Sequence, residues 1–264
     1  MPPEPSPDPT VLDLTDGTGV RAGAHTRSAL ELLAASRTTD EHGYVQLQTI
    51  PYRGHHLLAQ AVLDVTRPGD RVLEGGVSSG YFAAVLADAG LRVDGHEIDP
   101  AAAEEARRVC EHVFVGDLDT FDPAELPHDY EVLLFGDTLE HLPDPPAVLA
   151  RLRTRLVPGG HLVLSIPNIA NWAVRLGLLA GHFDYAERGI LDRTHLRFYT
   201  RATLVEMLGQ AGFEVTRLVA TVPVPALRSE APARLAHRVG NLRPSLFAYT
   251  FVVTARAGGP SSPR

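Results

Sequence analysis

Four acidic residues in the middle of this chain stand where short apolar runs give way to glycine or polar residues: Glu74, Glu97, Asp117 and Asp137. Glu74 follows Val72-Leu73 and opens the turn Gly75-Gly76-Val77-Ser78-Ser79-Gly80, with small residues at alternate positions 76, 78 and 80. Small side chains let backbone approach a ligand closely, and a carboxylate beside them suits an ammonium or sulfonium cation better than a phosphate. The wider Gly-x-Gly-x-x-Gly spacing that seats a pyrophosphate on a helix N-terminus is absent from this turn. Glu97, about 20 residues beyond the turn, is placed to accept hydrogen bonds from both hydroxyls of a ribose. Asp117, in Val115-Gly116-Asp117-Leu118, could accept from an exocyclic adenine amine. Asp137 begins Asp137-Thr138-Leu139-Glu140-His141-Leu142, which adds a histidine, the side chain best suited to exchange protons near neutral pH.

These groups meet only if the runs that carry them are neighbouring parallel strands. Residues 71–74, the glycine turn, a helical spacing over 81–89 and a strand over 91–97 make the right-handed crossover unit of a parallel sheet. The alternation continues through a helix over 100–110, strands over 112–115 and 131–135, a helix over 146–156 and a strand over 161–166. An α/β, Rossmann-like doubly wound sheet with helices on both faces follows, with its ligand at the strand ends. Beyond it come an irregular stretch over 167–199, a helix over 201–211 and strands over 213–219 and 245–254. With no helix expected between them, these last two strands cannot be parallel neighbours. Upstream, Leu57, Leu58, Ala61, Val62 and Val65 have helical spacing. The expected organisation is a tail over 1–12, an N-terminal helical lid region over 13–66, a core over 67–256 with a substrate-binding insertion at 167–200, and a tail over 257–264.

The chain has 264 residues, enough to bury a core without disulfide or metal staples. Its 24 basic and 32 acidic residues give a net charge of −8, which argues against nucleic acid as partner. Cys110, the single cysteine, reads as a buried structural thiol. No secretory n-region or long apolar span is present, so a cytoplasmic protein with no membrane partner is expected, and a homodimer is compatible with the sequence. Adjacent His55 and His56 diverge on a helix and lack a spaced third ligand, and exposed acids are the default for Asp137, Glu140 and Asp192, so no metal is assigned.

The runs Val72 to Phe82, Gly95-His96-Glu97-Ile98-Asp99, Gly116-Asp117, Asp137 to Pro143 and Leu156-Val157-Pro158-Gly159-Gly160 resemble class I S-adenosylmethionine-dependent methyltransferases, over about 70–254. The resemblance implies a seven-stranded sheet with an antiparallel last strand and S-adenosyl-L-methionine as cofactor. By position, Glu74 and Gly76, with Ser78 and Gly80 of the same turn, would line the methionine part of the cofactor. Glu97 would hold the ribose, Ile98 would pack on adenine, Asp117 would bind its amine, and Leu118 and Asp137 would complete the pocket. Two departures stand out: Ser78 replaces the usual middle glycine, and Glu74 the commoner aspartate. The implied chemistry is in-line displacement by an oxygen or nitrogen held about 3 Å from the methyl group, where alignment supplies much of the rate. A base is required when the nucleophile carries a proton that must leave. His141 is the first candidate, with Asp137 and Glu140 as orienting groups, and His195 is the second. Tyr52, His55, Asn168, Trp172, Asp192 and Tyr199 are the expected contacts of a small, polar, sugar-like or natural-product substrate. The run Asp192 to Tyr199 is similar to a segment of bacterial methyltransferases associated with glycans and secondary metabolites, including antibiotic biosynthesis. Two alternatives remain: a nicotinamide-dependent oxidoreductase, and a non-catalytic partner subunit that keeps the fold.

Overall fold

A computed structural model describes residues 54–222 and 230–258. Seven strands, β1 (Arg71–Gly75), β2 (Arg92–Glu97), β3 (His112–Val115), β4 (Tyr130–Gly136), β5 (Leu156–Pro167), β6 (Phe213–Thr221) and β7 (Thr250–Ala257), form one sheet in the order β3-β2-β1-β4-β5-β7-β6. Strands β1 to β5 pair in parallel, whereas β7 runs antiparallel to both β5 and β6. The expected doubly wound sheet is therefore present, closed by a C-terminal strand that inserts between β5 and β6. Strand order reverses between β1 and β4, and the crevice above their carboxyl ends is the binding position of such a sheet.

The period of two along β4 explains how both faces are covered. Val132 and Leu134 enter one apolar cluster with Leu57, Leu58 and Val62 of α1 (Gly54–Leu63) and Phe82, Val85 and Leu86 of α2 (Tyr81–Asp88). Leu133 and Phe135 enter the other, with Val148, Leu149 and Leu152 of α4 (Pro145–Leu152) and Leu204, Met207 and Leu208 of α6 (Arg201–Gln210). The remaining helices are α3 (Pro100–Ala106), α5 (Trp172–Leu179), α7 (Glu230–Leu242) and α8 (Pro244–Phe247). At the end of the sheet away from the crevice, the fully buried Asp94 accepts from Arg71 at 3.2 Å and from the Tyr130 hydroxyl at 2.7 Å, and pairs with His112 Nδ1 at 3.0 Å. One carboxylate thereby ties the starts of β1, β3 and β4 to β2.

Several sequence expectations are corrected. Residues 245–247 are helical, and the last strand begins only at Thr250. The stretch over 167–199 contains α5, whose cap is Asn171, with Oδ1 accepting from the Ala173 N–H at 3.0 Å. A helix, α7, does lie between the last two strands, although they are antiparallel neighbours as argued. Residues 257 and 258 belong to the sheet region and not to the expected tail: Ala257 is in β7, and the Gly258 N–H donates to the Gly212 carbonyl at 2.9 Å. Of the expected lid region, the described part is α1, which is sealed against the sheet by its leucines and Val62 and so is a wall of the core. Cys110 is buried and free, and burial pushes its thiol up to about 12.

Candidate active site

The turn after β1 is shaped by backbone that side chains seldom tolerate. Gly76 has φ 74°, and a Cβ there would stand 2.8 Å from Thr138 Oγ1. Ser78, with φ 52°, adopts the left-handed region without the freedom of glycine, at a cost of about 1 kcal/mol or more. Its N–H donates to Glu97 Oε2 at 2.7 Å. The other Glu97 oxygen accepts from the N–H groups of Ile98 at 2.9 Å and Asp99 at 3.0 Å. Three of the roughly four acceptor positions of this carboxylate are therefore taken by backbone, so it can accept one ribose hydroxyl and not both without breaking a bond. Ile98 projects beside it, 65% exposed, a large apolar side chain that the described residues leave mostly uncovered. Asp117 is exposed at the end of β3, and the Gly116 N–H donates to the Glu97 carbonyl at 3.0 Å. The Leu118 side chain is buried in the apolar cluster and its carbonyl accepts from Arg151 at 2.7 Å, so its side chain packs in the core beneath the end of β3.

Glu74 departs from expectation in its charge. It is buried, its Oε2 has no partner among the described residues, and burial, then the nearby charge of Glu97, push its carboxyl up to about 8. At neutral pH it is mostly protonated until a cation arrives. An unsatisfied buried acid, an exposed isoleucine and an exposed aspartate in one crevice fit a nucleoside carrying an ammonium and a sulfonium group.

The end of β4 supplies a second cluster. Asp137, with φ 50°, donates its N–H to the Ser165 carbonyl at 3.2 Å, and desolvation by the surrounding protein raises its carboxyl above the usual range. A short 3-10 turn, Leu139–His141, then turns the Glu140 side chain inward. Glu140 is 1% exposed, neither carboxylate oxygen has a hydrogen-bond partner among the described residues, and burial holds its carboxyl well above the usual range. Its carbonyl accepts from the N–H groups of Leu196 at 2.9 Å and Arg197 at 3.0 Å, which pins the far end of the insertion to this turn. His195 is thereby brought edge-on to His141, with ring centroids 4.8 Å apart. Each ring has Nδ1 at 3.2 Å from a backbone carbonyl, that of Thr194 for His141 and that of Ile190 for His195. Burial, then the His141 charge, lower the affinity of His195 for a proton. Asp192 accepts from the Thr194 N–H and hydroxyl at 2.8 and 2.7 Å, which stiffens the loop beneath the pair.

Other expected substrate residues are redistributed. Asn168 is fully buried; its amide donates to the Ala248 carbonyl at 2.9 Å and accepts from the Ala170 N–H at 3.0 Å, so it anchors the insertion and does not face a substrate. Tyr199, 7% exposed, packs in the core and its carbonyl accepts from the Ile169 N–H, which corrects it to the same anchoring role. His55 packs on the rings of Tyr81 and Phe82 at the start of α2, and burial lowers its pKa to about 4. Trp172 stays half-exposed at the start of α5. Tyr52 lies outside the described residues. Sequence reasoning missed Tyr249, whose hydroxyl is hydrogen-bonded to the Ile190 backbone and lies within range of the Asp137 charge. No local signal marks it.

The crevice, its acids and the sheet order define a nucleoside-binding α/β protein of the methyltransferase type. Residues 47–218 match the methyltransferase domain family, and the chain belongs to it, as a class I S-adenosylmethionine-dependent methyltransferase with S-adenosyl-L-methionine as cofactor. The nicotinamide alternative is set aside by this match. The chain is 30% identical over 159 residues to a ubiquinone biosynthesis O-methyltransferase of Xanthomonas campestris pv. campestris (strain B100), covering 55% of this chain and 64% of that one. It is 27% identical over 159 residues to the protein of the same description from Thiobacillus denitrificans, covering 57% of this chain and 67% of that one. The chain thus spans about two thirds of the length of these relatives. The magnesium protoporphyrin IX methyltransferase of Synechocystis PCC 6803, solved with bound S-adenosylhomocysteine, shares the fold with a TM-score of 0.53 at 18% identity, over 89% of this chain and 95% of that one. Among the described residues no helix is long and apolar enough to cross a membrane.

Proposed function

We propose that this chain methylates a hydroxyl oxygen of a small, polar, sugar-like or natural-product acceptor, held between the strand ends and the 167–200 insertion. The observation that carries the reading is the His141–His195 pair, 4.8 Å apart, at the mouth of the cleft beside Asp137. Bound at the β1–β4 crevice, the cofactor supplies an electrophilic methyl group on a cationic sulfur. Glu97 accepts from its ribose, Ile98 covers one face of adenine, and Asp117 accepts from the adenine amine. Glu74 ionises against the ammonium group, while Gly76, Ser78 and Gly80 leave the backbone free to approach the methionine chain. Asp137, Trp172 and Asp192 orient the acceptor. The two imidazoles draw off the hydroxyl proton, since a neutral alcohol is a weak nucleophile. Oxygen is favoured over nitrogen because the curated relatives act as O-methyltransferases by name.

The test is transfer of a labelled methyl group to a panel of hydroxylated acceptors. His141→Asn is expected to lower turnover by roughly 10²- to 10⁴-fold while calorimetry shows unchanged affinity for S-adenosylhomocysteine. Unchanged turnover removes His141 from the reaction.

A further inference from the structure

Near the cofactor crevice lies a cluster whose geometry exceeds what a proton-accepting pair requires. Neither oxygen of the buried Glu140 carboxylate has a hydrogen-bond partner among the described residues, and its Oε1 stands 3.9 Å from His195 Nε2. One donor atom each from Glu140, His141 and His195 lie within 4.8 Å of one another. Each imidazole also has its Nδ1 on a main-chain carbonyl, Thr194 or Ile190, at 3.2 Å. A ring that gives its Nδ1 proton to a carbonyl keeps Nε2 as a lone pair, and such a carbonyl is the usual outer partner of a metal-bound histidine. Two ligands each about 2.1 Å from a shared tetrahedral ion lie roughly 3.4 Å apart, so side-chain contraction from 3.9 Å for Glu140 and His195, and from no more than 4.8 Å for the other pairs, closes the site.

We propose that Glu140, His141 and His195 bind one divalent transition ion of the zinc class, with an open position for the acceptor hydroxyl. The donor set selects the ion: two imidazoles with one carboxylate suit zinc, cobalt or iron(II), whereas magnesium and calcium prefer all-oxygen sites. A second group of similar composition, Asp94, Glu111 and His112, lacks this character because Arg71 and Arg92 already neutralise its acids. Binding of the ion stands on these side chains alone, and its use in catalysis rests on the O-methylation reading above. With the imidazoles as ligands in place of the direct proton acceptors proposed above, an ion with three protein ligands lowers the proton affinity of a hydroxyl bound in its fourth position. The O–H bond breaks and the proton passes to solvent. The oxygen lone pair then forms the bond to the methyl carbon as the carbon–sulfur bond breaks and its electron pair returns to sulfur, leaving a neutral thioether.

The experiment titrates the tag-free, chelator-treated full chain with Co(II) and follows its visible ligand-field bands, with Zn(II) added as competitor. One site per chain is expected, displaced by Zn(II). Glu140→Gln and His195→Asn are expected to weaken Co(II) binding by roughly 100-fold or more while leaving S-adenosylhomocysteine affinity within about twofold. Absence of a one-to-one Co(II) spectrum in the wild type, or wild-type Co(II) affinity in either folded variant, overturns the ion. Loss of S-adenosylhomocysteine binding by the wild type overturns the methyltransfer reading instead, and leaves the metal titration to judge the site.

Discussion

Burial has made Glu74, Asp137 and Glu140 reluctant to ionise, and the Glu74 pKa falls near working pH. Its ordinary value of 4.5 is raised to about 8, by burial first and then by the Glu97 charge, with the buried Cys110 thiol also nearby. Between these two values the folded chain holds a proton that the unfolded chain has released, so stability of the ligand-free protein falls as pH rises through that window. The slope is up to about 1.4 kcal/mol per pH unit for a single group. His55, His56 and His96 have pKa values lowered to about 4, so their opposite contribution is largely complete above neutrality. Because the other shifted groups contribute to both proteins, the difference between wild type and Glu74→Gln in denaturant unfolding at pH 7 and pH 8 isolates Glu74. Wild type should lose stability over that unit, and Glu74→Gln should flatten the loss; equal slopes in both would place the carboxyl's pKa outside the window.

At the scale of elements, the insertion is held at both ends by backbone capture. Its far end hangs from the Glu140 carbonyl, and its near end from Asn168 and Asn171, whose amides share the Ala248 carbonyl at 2.9 and 2.8 Å. Because Asn168 is fully buried, Asn168→Ala removes bonds that water cannot replace and should cost about 2 kcal/mol of unfolding free energy. Limited proteolysis should then cut within 167–200 at lower protease concentration than in wild type. A variant as stable and as resistant as wild type would return Asn168 to the substrate side of the cleft. Helix α6 begins from the neighbouring Thr200–Thr203 capping box, so the insertion passes directly from this anchor into core packing.

On the scale of the whole molecule, charge is arranged so that scaffold and site occupy opposite ends of the sheet. Asp94 gathers Arg71, Tyr130 and His112 at the amino ends of the first four strands, while the acids of the crevice stand at the carboxyl ends. Removing one partner of a buried pair strands the other, so Asp94→Asn should destabilise the fold by roughly 3 kcal/mol in denaturant unfolding. Calorimetry at a temperature where the variant is folded should show unaltered affinity for S-adenosylhomocysteine. A large loss of affinity would mean that the two ends are coupled through the sheet.

What the residue order determined by itself was everything that depends on near neighbours: the short strand-forming runs of β1, β2, β4 and β5, the glycine turn, and acids at strand ends, all local preferences of backbone and side chain. The sheet with its antiparallel final strand came from resemblance, since nothing in 213–258 announces that β7 inserts between β5 and β6. The helix α5 was hidden because its apolar residues are largely exposed and carry no clean core stripe: Leu176 and Leu179 face solvent, and in α7 Leu235 and Leu242 do likewise. Tertiary structure alone decided that Glu74 is neutral, that Asn168 and Tyr199 are anchors, and that His195 meets His141 over a buried Glu140. Charge state and ligand geometry depend on what surrounds a group in space, and residues 140 and 195 become neighbours only when the Glu140 carbonyl captures the chain at Leu196 and Arg197.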